Sequence, residues 1–396
     1  MTGPLAGIKI VEIASIVLGP LAGQYLGDMG ADVIKVEAPE GDVTRVQGPR
    51  RSDKMSALFL SCNRNKRSVV LDLRQPEGHA ALVKLLQGAD VFIHSIRTRA
   101  AQNSQLDYDS VRKINENIVY CHVKGFSDEG AYAGKPAYDD IIQGLSGLAA
   151  LQSAIGGEPR YIPAIIADKL TGVHAAYAVA LALYHKLATG RGQRVDVPMF
   201  ETMASFNVIE HLWGGSFEPF EGGFGYPTIA NATRRPFRTK DGYLAFLPHT
   251  DAHWERFLTA IGRNDLLTDR RFATFRGRQE NADVIWSMVK EELVGRTSKE
   301  WLDLLGGLDV PIGFVNSIKD LVDDPHLNSV NFWSLHQHPT EGMLRMAGLP
   351  LTLSDSPASI RRLPPRLGEH TEEVLREHDC SPDMIRAVMS RVPQEM

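Results

Sequence analysis

The stretch IKIVEIASIVLGPLAGQYLGDMGADVIKVEAP, residues 8–39, decides the fold. IKIVEIA (8–14) is a short β-rich run, GPLAGQYLGDMG (19–30) has the spacing of a helix and stops at Gly30, and ADVIKVEAP (31–39) is a second apolar strand. A crossover this short joins two parallel neighbouring strands, because the chain must return over the sheet and a helix carries it back. The pattern repeats in SVVLDLR (68–74), PEGHAALVKLLQGA (76–89) and DVFIHS (90–95), then in YDSVRKINEN (108–117) and IVYCHVKGF (118–126). Such alternation predicts an α/β large domain, a Rossmann-like open parallel sheet covered by helices.

Working outward, 396 residues exceed one ordinary core, so a second and smaller α+β domain is expected. The texture changes at SFEPFEGGFGYPTIANATRRPFR (216–238), rich in Gly, Pro and aromatics, which reads as a linker. TKDGYLAFLP (239–248) then reads as a hairpin turning at Asp241-Gly242. Helical patterns follow in DAHWERFLTAIG (251–262) and ENADVIWSMVKEELVGR (280–296). The expected division is 1–215 for the first part of the large domain, 216–238 for the linker, 239–320 for the small domain, and 321–396 returning to complete the large one.

Charge excludes several partners. With 43 basic and 48 acidic residues the net charge is −5, so no global basic field draws in nucleic acid or membrane. No apolar run of about 18 residues is free of charge, so no membrane span is expected. MTGPLAGIKIVEIAS (1–15) lacks a basic and then apolar leader, and the cytoplasm is the expected location. Cys62, Cys121 and Cys380 are far apart and form no CxxC pair, which disfavours zinc and disulfides and suits a reducing compartment. The 13 histidines include no HExxH, and His174 and His185 on one helix read as packing or surface residues. No metal site is expected.

A doubly wound sheet invites a dinucleotide, but the first turn, ASIVLGPLAG (14–23), is not G-x-G-x-x-G. Glu37, where a ribose-binding acid would sit, is weak support without that turn. No GxxxxGK[ST] loop occurs, and Ser146 in GLSGL (144–148) falls one residue short of a nucleophile elbow.

One carboxylate stands out. In YIPAIIADKLTGVHAAYAVALALYHKLATGRG (161–192), Val173, Ala176, Tyr177, Ala180, Leu181 and Tyr184 recur at helical spacing, and Gly190 is a natural stop. Asp168 lies near the start of this helix, where free N–H groups favour an anion. It reads either as a cap contributing about 1 kcal/mol or as a functional group.

The chain resembles the class III coenzyme A transferases, a family that includes formyl-CoA:oxalate and crotonobetainyl-CoA:carnitine transferases and the α-methylacyl-CoA racemases. The resemblance rests on GPLAGQYLGDMGADVIKVEAPEGD (19–42), NRNKRSVVLDLRQPEG (63–78), VKGFSDEGAYAGKPAYDDIIQGLSGL (123–148), ADKLTGVHAAYAVALALYHKLATGRGQRVDVPMFE (167–201), TKDGYLAF (239–246) and LGEHTEEVL (367–375). It implies that Asp168 attacks an acyl-CoA thioester, forming an acyl–aspartyl anhydride and then an aspartyl-CoA thioester, before a second acid takes the CoA. Coenzyme A would be a substrate, with no tightly bound cofactor. It places Val17 and Leu18 on the pantetheine side, Arg74 and Arg97 near the phosphates or adenine, and Lys135 and Tyr138 beside the thioester. For each basic residue a solvated surface charge is the alternative.

Asp139 falls where the family carries an acid or amide, and reads otherwise as a helix N-terminal acid. EGGFGYP (221–227), with Gly222, Gly223 and Gly225, is either a loop covering the site or part of the linker. One of Arg234, Arg235 and Arg238 would meet the second carboxylate of a dicarboxylic acceptor. The racemase branch has a histidine where this chain has Tyr138, and the formyl-CoA branch a glutamine where it has Val17. Tyrosine is a poor base at neutral pH, which favours transfer over racemisation. An isomerase, a hydrolase and an inactive CoA-binding relative are the alternatives. The resemblance also implies an interlocked homodimer.

Overall fold

The computed structural model describes residues 3–227, 229–230 and 235–393. Six strands form one parallel sheet: β1 (Lys9–Ile13), β2 (Asp32–Glu37), β3 (Lys66–Val70), β4 (Val91–His94), β5 (Val119–Lys124) and β6 (Arg194–Pro198). Their order is β3-β2-β1-β4-β5-β6, with every neighbouring pair parallel. The chain winds outward from β1 to β3, then starts again at β4 on the other side. The strand order therefore reverses between β1 and β4, the place where open α/β sheets leave a crevice at their carboxyl edge.

Strand alternation sends Ile10 and Ile93 into one core and Val11 and Phe92 into the other. The first core is covered by the helices Leu18–Asp28 and Ile166–Thr189, the second by Pro76–Gln87 and the C-terminal helices Thr371–Glu377 and Pro382–Met389.

The helix Ile166–Thr189 ends at Gly190, whose φ of 73° is the left-handed stop that the glycine predicts. Apart from Asp168 and Leu183, its buried face is made of small residues: Ala167, Thr171, Gly172, Ala175, Val179 and Ala182. A Cβ on Gly172 would lie 2.8 Å from the carbonyl oxygen of Leu18, so glycine lets the two helices meet backbone to backbone. Val173, Tyr177, Leu181 and Tyr184, the large residues that mark the helix in the sequence, remain exposed. Among the described residues this is the one helix long and apolar enough, by length and composition, to cross a bilayer. Asp168, Lys169 and Lys186 interrupt it, so its charge-free stretch stays shorter than the run sought in the sequence.

The chain divides into two compact units, the sheet-bearing one taking in everything to Ala150, Arg160–Leu212 and the chain from Asn331 onward. It also contains the hairpin of β10 (Trp333–His338) and β11 (Gly342–Ala347). The other comprises Leu151–Pro159 and Trp213–Val330. There β7 (Phe237–Arg238), β8 (Tyr243–Phe246) and β9 (Ile312–Phe314) form an antiparallel sheet over a core containing Trp254, Phe257, Ile285 and Trp301. The boundaries differ from expectation in three ways, the first being that Leu151–Pro159, expected in the large domain, belongs to the second unit. The return to the sheet unit falls at Asn331 rather than 321, because residues 320–329 fold as two short helices of the second unit. The first part of the supposed linker is a closed loop of that unit: Gly214 N donates to Gly223 O at 3.1 Å, and Trp213 stacks on Tyr226 at 5.1 Å.

Candidate active site

A cavity of about 330 Å³ opens at the carboxyl edge of the sheet, where β1, β4 and β5 end. Ser15, Ile16 and Leu18 follow β1, Ser95 to Thr98 follow β4, and Lys124 to Phe126 close β5. Lys135, Ala137 and Tyr138 supply a further wall, and Asp168 completes it from the first turn of Ile166–Thr189. This is the crevice at the reversal of strand order, and its size suits a small-molecule site.

Asp168 is 8% exposed and is not the helix cap. That position belongs to Ile165, whose side chain makes no capping bond. The cap comes from elsewhere: Asp139 Oδ1 accepts hydrogen bonds from the backbone N–H groups of Ala167 at 2.7 Å and Asp168 at 3.1 Å. Asp139 thus occupies donors that would otherwise steady the Asp168 carboxylate, as helix N-termini do. Its other oxygen accepts from Gln143 Nε2 at 2.7 Å, and Gln143 Oε1 accepts from Ile162 N at 2.9 Å. Gln143 is fully buried and stitches the segment leading into Asp168 onto the Asp139–Leu145 helix.

Among the described residues no donor reaches the Asp168 carboxylate. Burial, and then the negative charge of Asp139, push its pKa up to about 7. A buried carboxylate with no partner, facing a cavity, is an anion stripped of what normally quiets it.

The other expected site residues divide into two groups. Leu18, Arg97, Lys135 and Tyr138 all line the cavity with Asp168. Tyr138 opens the Asp139–Leu145 helix and is 63% exposed, and Lys135 Nζ lies 4.3 Å over the ring of Tyr132. Neither Arg97 nor Lys135 has a carboxylate partner among the described residues, so both offer unspent positive charge. Lys124 does not, since it is paired with Asp128 at 2.7 Å and Asp196 at 2.9 Å.

Val17 and Arg74 lie elsewhere. Val17 is 3% exposed and packs against Leu21 and Cys62, so the side chain that takes the cavity wall is Ile16. Arg74 points into solvent at 72% exposure, bonded to Asp72 at 2.7 Å and facing Glu40 at 3.8 Å. Glu37 is buried and bidentate to Arg45 at 2.7 and 2.8 Å, which leaves it no capacity to hold a ribose. Gly222 and Gly225, each with φ of 87°, and Gly223 form the loop of the second unit, where Arg235 and Arg238 are exposed. Arg234 lies outside the described residues.

Ile16 and Gln143 are the additions that sequence reasoning missed. The i, i+4 spacing of Asp139 and Gln143 is the signal that would have revealed the second.

Comparison with known proteins places the chain. Residues 5–371 match the profile of CoA-transferase family III, and the chain belongs to that family. It is a CoA-transferase. A succinate–glutarate CoA-transferase of Agrobacterium fabrum is 32% identical over 384 residues, covering 94% of this chain and 95% of the relative. A formyl-CoA:oxalate CoA-transferase of Rhodopseudomonas palustris is 31% identical over 95% of this chain and 94% of its own. The crystal structure of a CAIB/BAIF family protein from Brucella suis superposes with a TM-score of 0.84 at 32% identity, covering 96% of this chain and 100% of that one.

Proposed function

We propose that the protein moves CoA from an acyl-CoA to a carboxylic acid with Asp168 as the covalent carrier. The observation that carries this reading is the buried, unpartnered carboxylate of Asp168 on the cavity wall. An Asp168 oxygen attacks the thioester carbonyl carbon, the C–S bond breaks, and CoA leaves as thiolate, giving a mixed anhydride. The thiolate then attacks the aspartyl carbonyl and expels the first acid as its carboxylate, leaving an aspartyl-CoA thioester. The acceptor carboxylate reverses both steps and restores Asp168. No net proton is consumed, which suits a cavity whose described lining contains no histidine. That lack also weighs against proton transfer at an α-carbon, the racemase alternative.

Arg97 and Lys135 are the cations we assign to the CoA phosphates and the thioester side, since neither is spent on a carboxylate. Val17 and Leu18 would meet the pantetheine arm, Val17 through its backbone alone. Arg74 is left to solvent in this reading. A dicarboxylic acceptor is supported by the relative that acts on succinate and glutarate.

A homodimer is supported by the apolar strip Val173, Tyr177, Leu181, Tyr184 and Leu187, 46% to 85% exposed. Its interlocked form rests on the family resemblance. A cytoplasmic location is supported by three cysteines that are buried and unbridged.

The test is trapping. Protein incubated with an acyl-CoA and hydroxylamine should carry a hydroxamate on Asp168, located by peptide mass spectrometry. Modification at another residue, or turnover with no acceptor acid, would reject the mechanism.

A further inference from the structure

The turn between β1 and the Leu18–Asp28 helix builds one wall of the cavity, and it is strained. Ile16 has a φ of 71°, in the left-handed region that a β-branched residue avoids. Such a conformation persists only where the surroundings over-determine it.

A closed set of buried charges surrounds this turn. Ile16 N donates to Asp42 Oδ1 at 3.2 Å. Lys35 Nζ donates to Ala14 O at 2.8 Å and to Asp42 Oδ2 at 3.0 Å. Lys66 Nζ donates to Pro20 O at 2.7 Å. Glu12 joins the two lysines: its Oε1 accepts from Lys35 at 3.3 Å and from Lys66 at 3.1 Å, and its Oε2 lies 2.8 Å from Lys66 Nζ. The side chains of all four are at most 1% exposed. The start of the turn, its strained middle and the first turn of the helix that follows are therefore each gripped by a different member of one network. A Cβ on Gly23 would lie 1.9 Å from Glu12 Oε2, so even the following helix leaves room for it.

Burying this many ions is a poor way to gain stability, because desolvation consumes most of the Coulombic attraction. Their arrangement makes sense as geometry. We infer that Glu12, Lys35, Asp42 and Lys66 are positioning residues for CoA transfer: together they hold the strained Ile16 turn against the cavity, fixing how the thioester presents its carbonyl to Asp168. This rests on Asp168 being the nucleophile. Misplacement of a reacting group by about 1 Å costs on the order of a hundredfold in rate, so loosening the turn should tell mainly on kcat.

The experiment compares Asp42→Asn, Ile16→Gly and the double variant for kcat, KM and melting temperature. Asp42→Asn keeps the volume but breaks the ion pair with Lys35, and should lower kcat about 10- to 100-fold with KM for the acyl-CoA changed less than about threefold. Glycine adopts the left-handed conformation unaided, so the double variant should match Ile16→Gly in kcat. If Asp42→Asn fails to fold, Thr44→Val serves, since Thr44 Oγ1 donates to Asp42 Oδ1 at 2.8 Å and no charge is removed. It should lower kcat more modestly, again with KM held. Losses in kcat that multiply in the double variant, or activity that falls only as the folded fraction falls, would overturn the inference. A wild-type protein with no CoA transfer would instead defeat the reading of Asp168.

Discussion

Asp168 pays for its reactivity in stability. Its pKa of about 7 in the fold exceeds the unfolded value near 4, so the folded state holds the proton more tightly. Below about pH 4 both states are protonated and no penalty exists. The penalty grows as pH rises towards 7 and is complete above it. Asp168→Asn should therefore raise stability above pH 7 by up to about 4 kcal/mol, with the gain vanishing near pH 4. Urea denaturation at pH 4.5 and pH 8 measures it. The same variant should lose CoA transfer by at least about a thousandfold, since it removes the carboxylate we propose as nucleophile. Attack requires the ionised form, so kcat/KM should rise with pH through about 7. Asp139→Asn, which keeps the capping oxygen but deletes the neighbouring charge, should move that rise to lower pH, as a pH–rate profile would show.

At the scale of elements, much was legible in the chain. The crossover from β1 to β2, the stop at Gly190 and the hairpin at Asp241-Gly242 each depend on neighbours in sequence, and all appear in the fold. The buried face of Ile166–Thr189 was not legible, because periodicity draws attention to Tyr177 and Leu181 while packing buried Gly172 and Ala175 instead. Close helix approach rewards the absence of a side chain, which no hydrophobic pattern records. Asp168 looked like a cap for a related reason: the true cap, Asp139, lies 29 positions away in sequence and only the fold brings it near. Likewise Val17 and Ile16 are adjacent, and it is Ile16, with its left-handed φ, that lines the cavity. Gly172→Ala tests the packing argument. Its Cβ would sit 2.8 Å from a backbone oxygen, and separating the helices should cost roughly 1–3 kcal/mol by chemical denaturation.

For the molecule as a whole, the exposed strip on that same helix is the feature that most needs a partner. Tyr184 is 72% and Leu187 85% exposed, on a helix whose other face is fully committed to the sheet unit. Placing aspartates at both positions would put charge into any apolar contact made there, at the cost that buried unpaired charges carry. Analytical ultracentrifugation should find the wild type as a dimer and the doubly substituted chain shifted to monomer, or failing to accumulate. A wild type that sediments as a monomer at micromolar concentration would refute the dimer.

The lack of a partner for Asp168 among the described residues also has a thermodynamic signature apart from rate. At pH 7 a group titrating near 7 is protonated in about half of the molecules, and an acylated aspartate cannot be. Loading as far as the aspartyl-CoA thioester, with the first acid leaving as its carboxylate and no free thiol remaining, should therefore expel about half a proton per site into the medium. Titration calorimetry in two buffers of different ionisation enthalpy would see that proton, whereas a carrier held ionised by a neighbouring cation would release none.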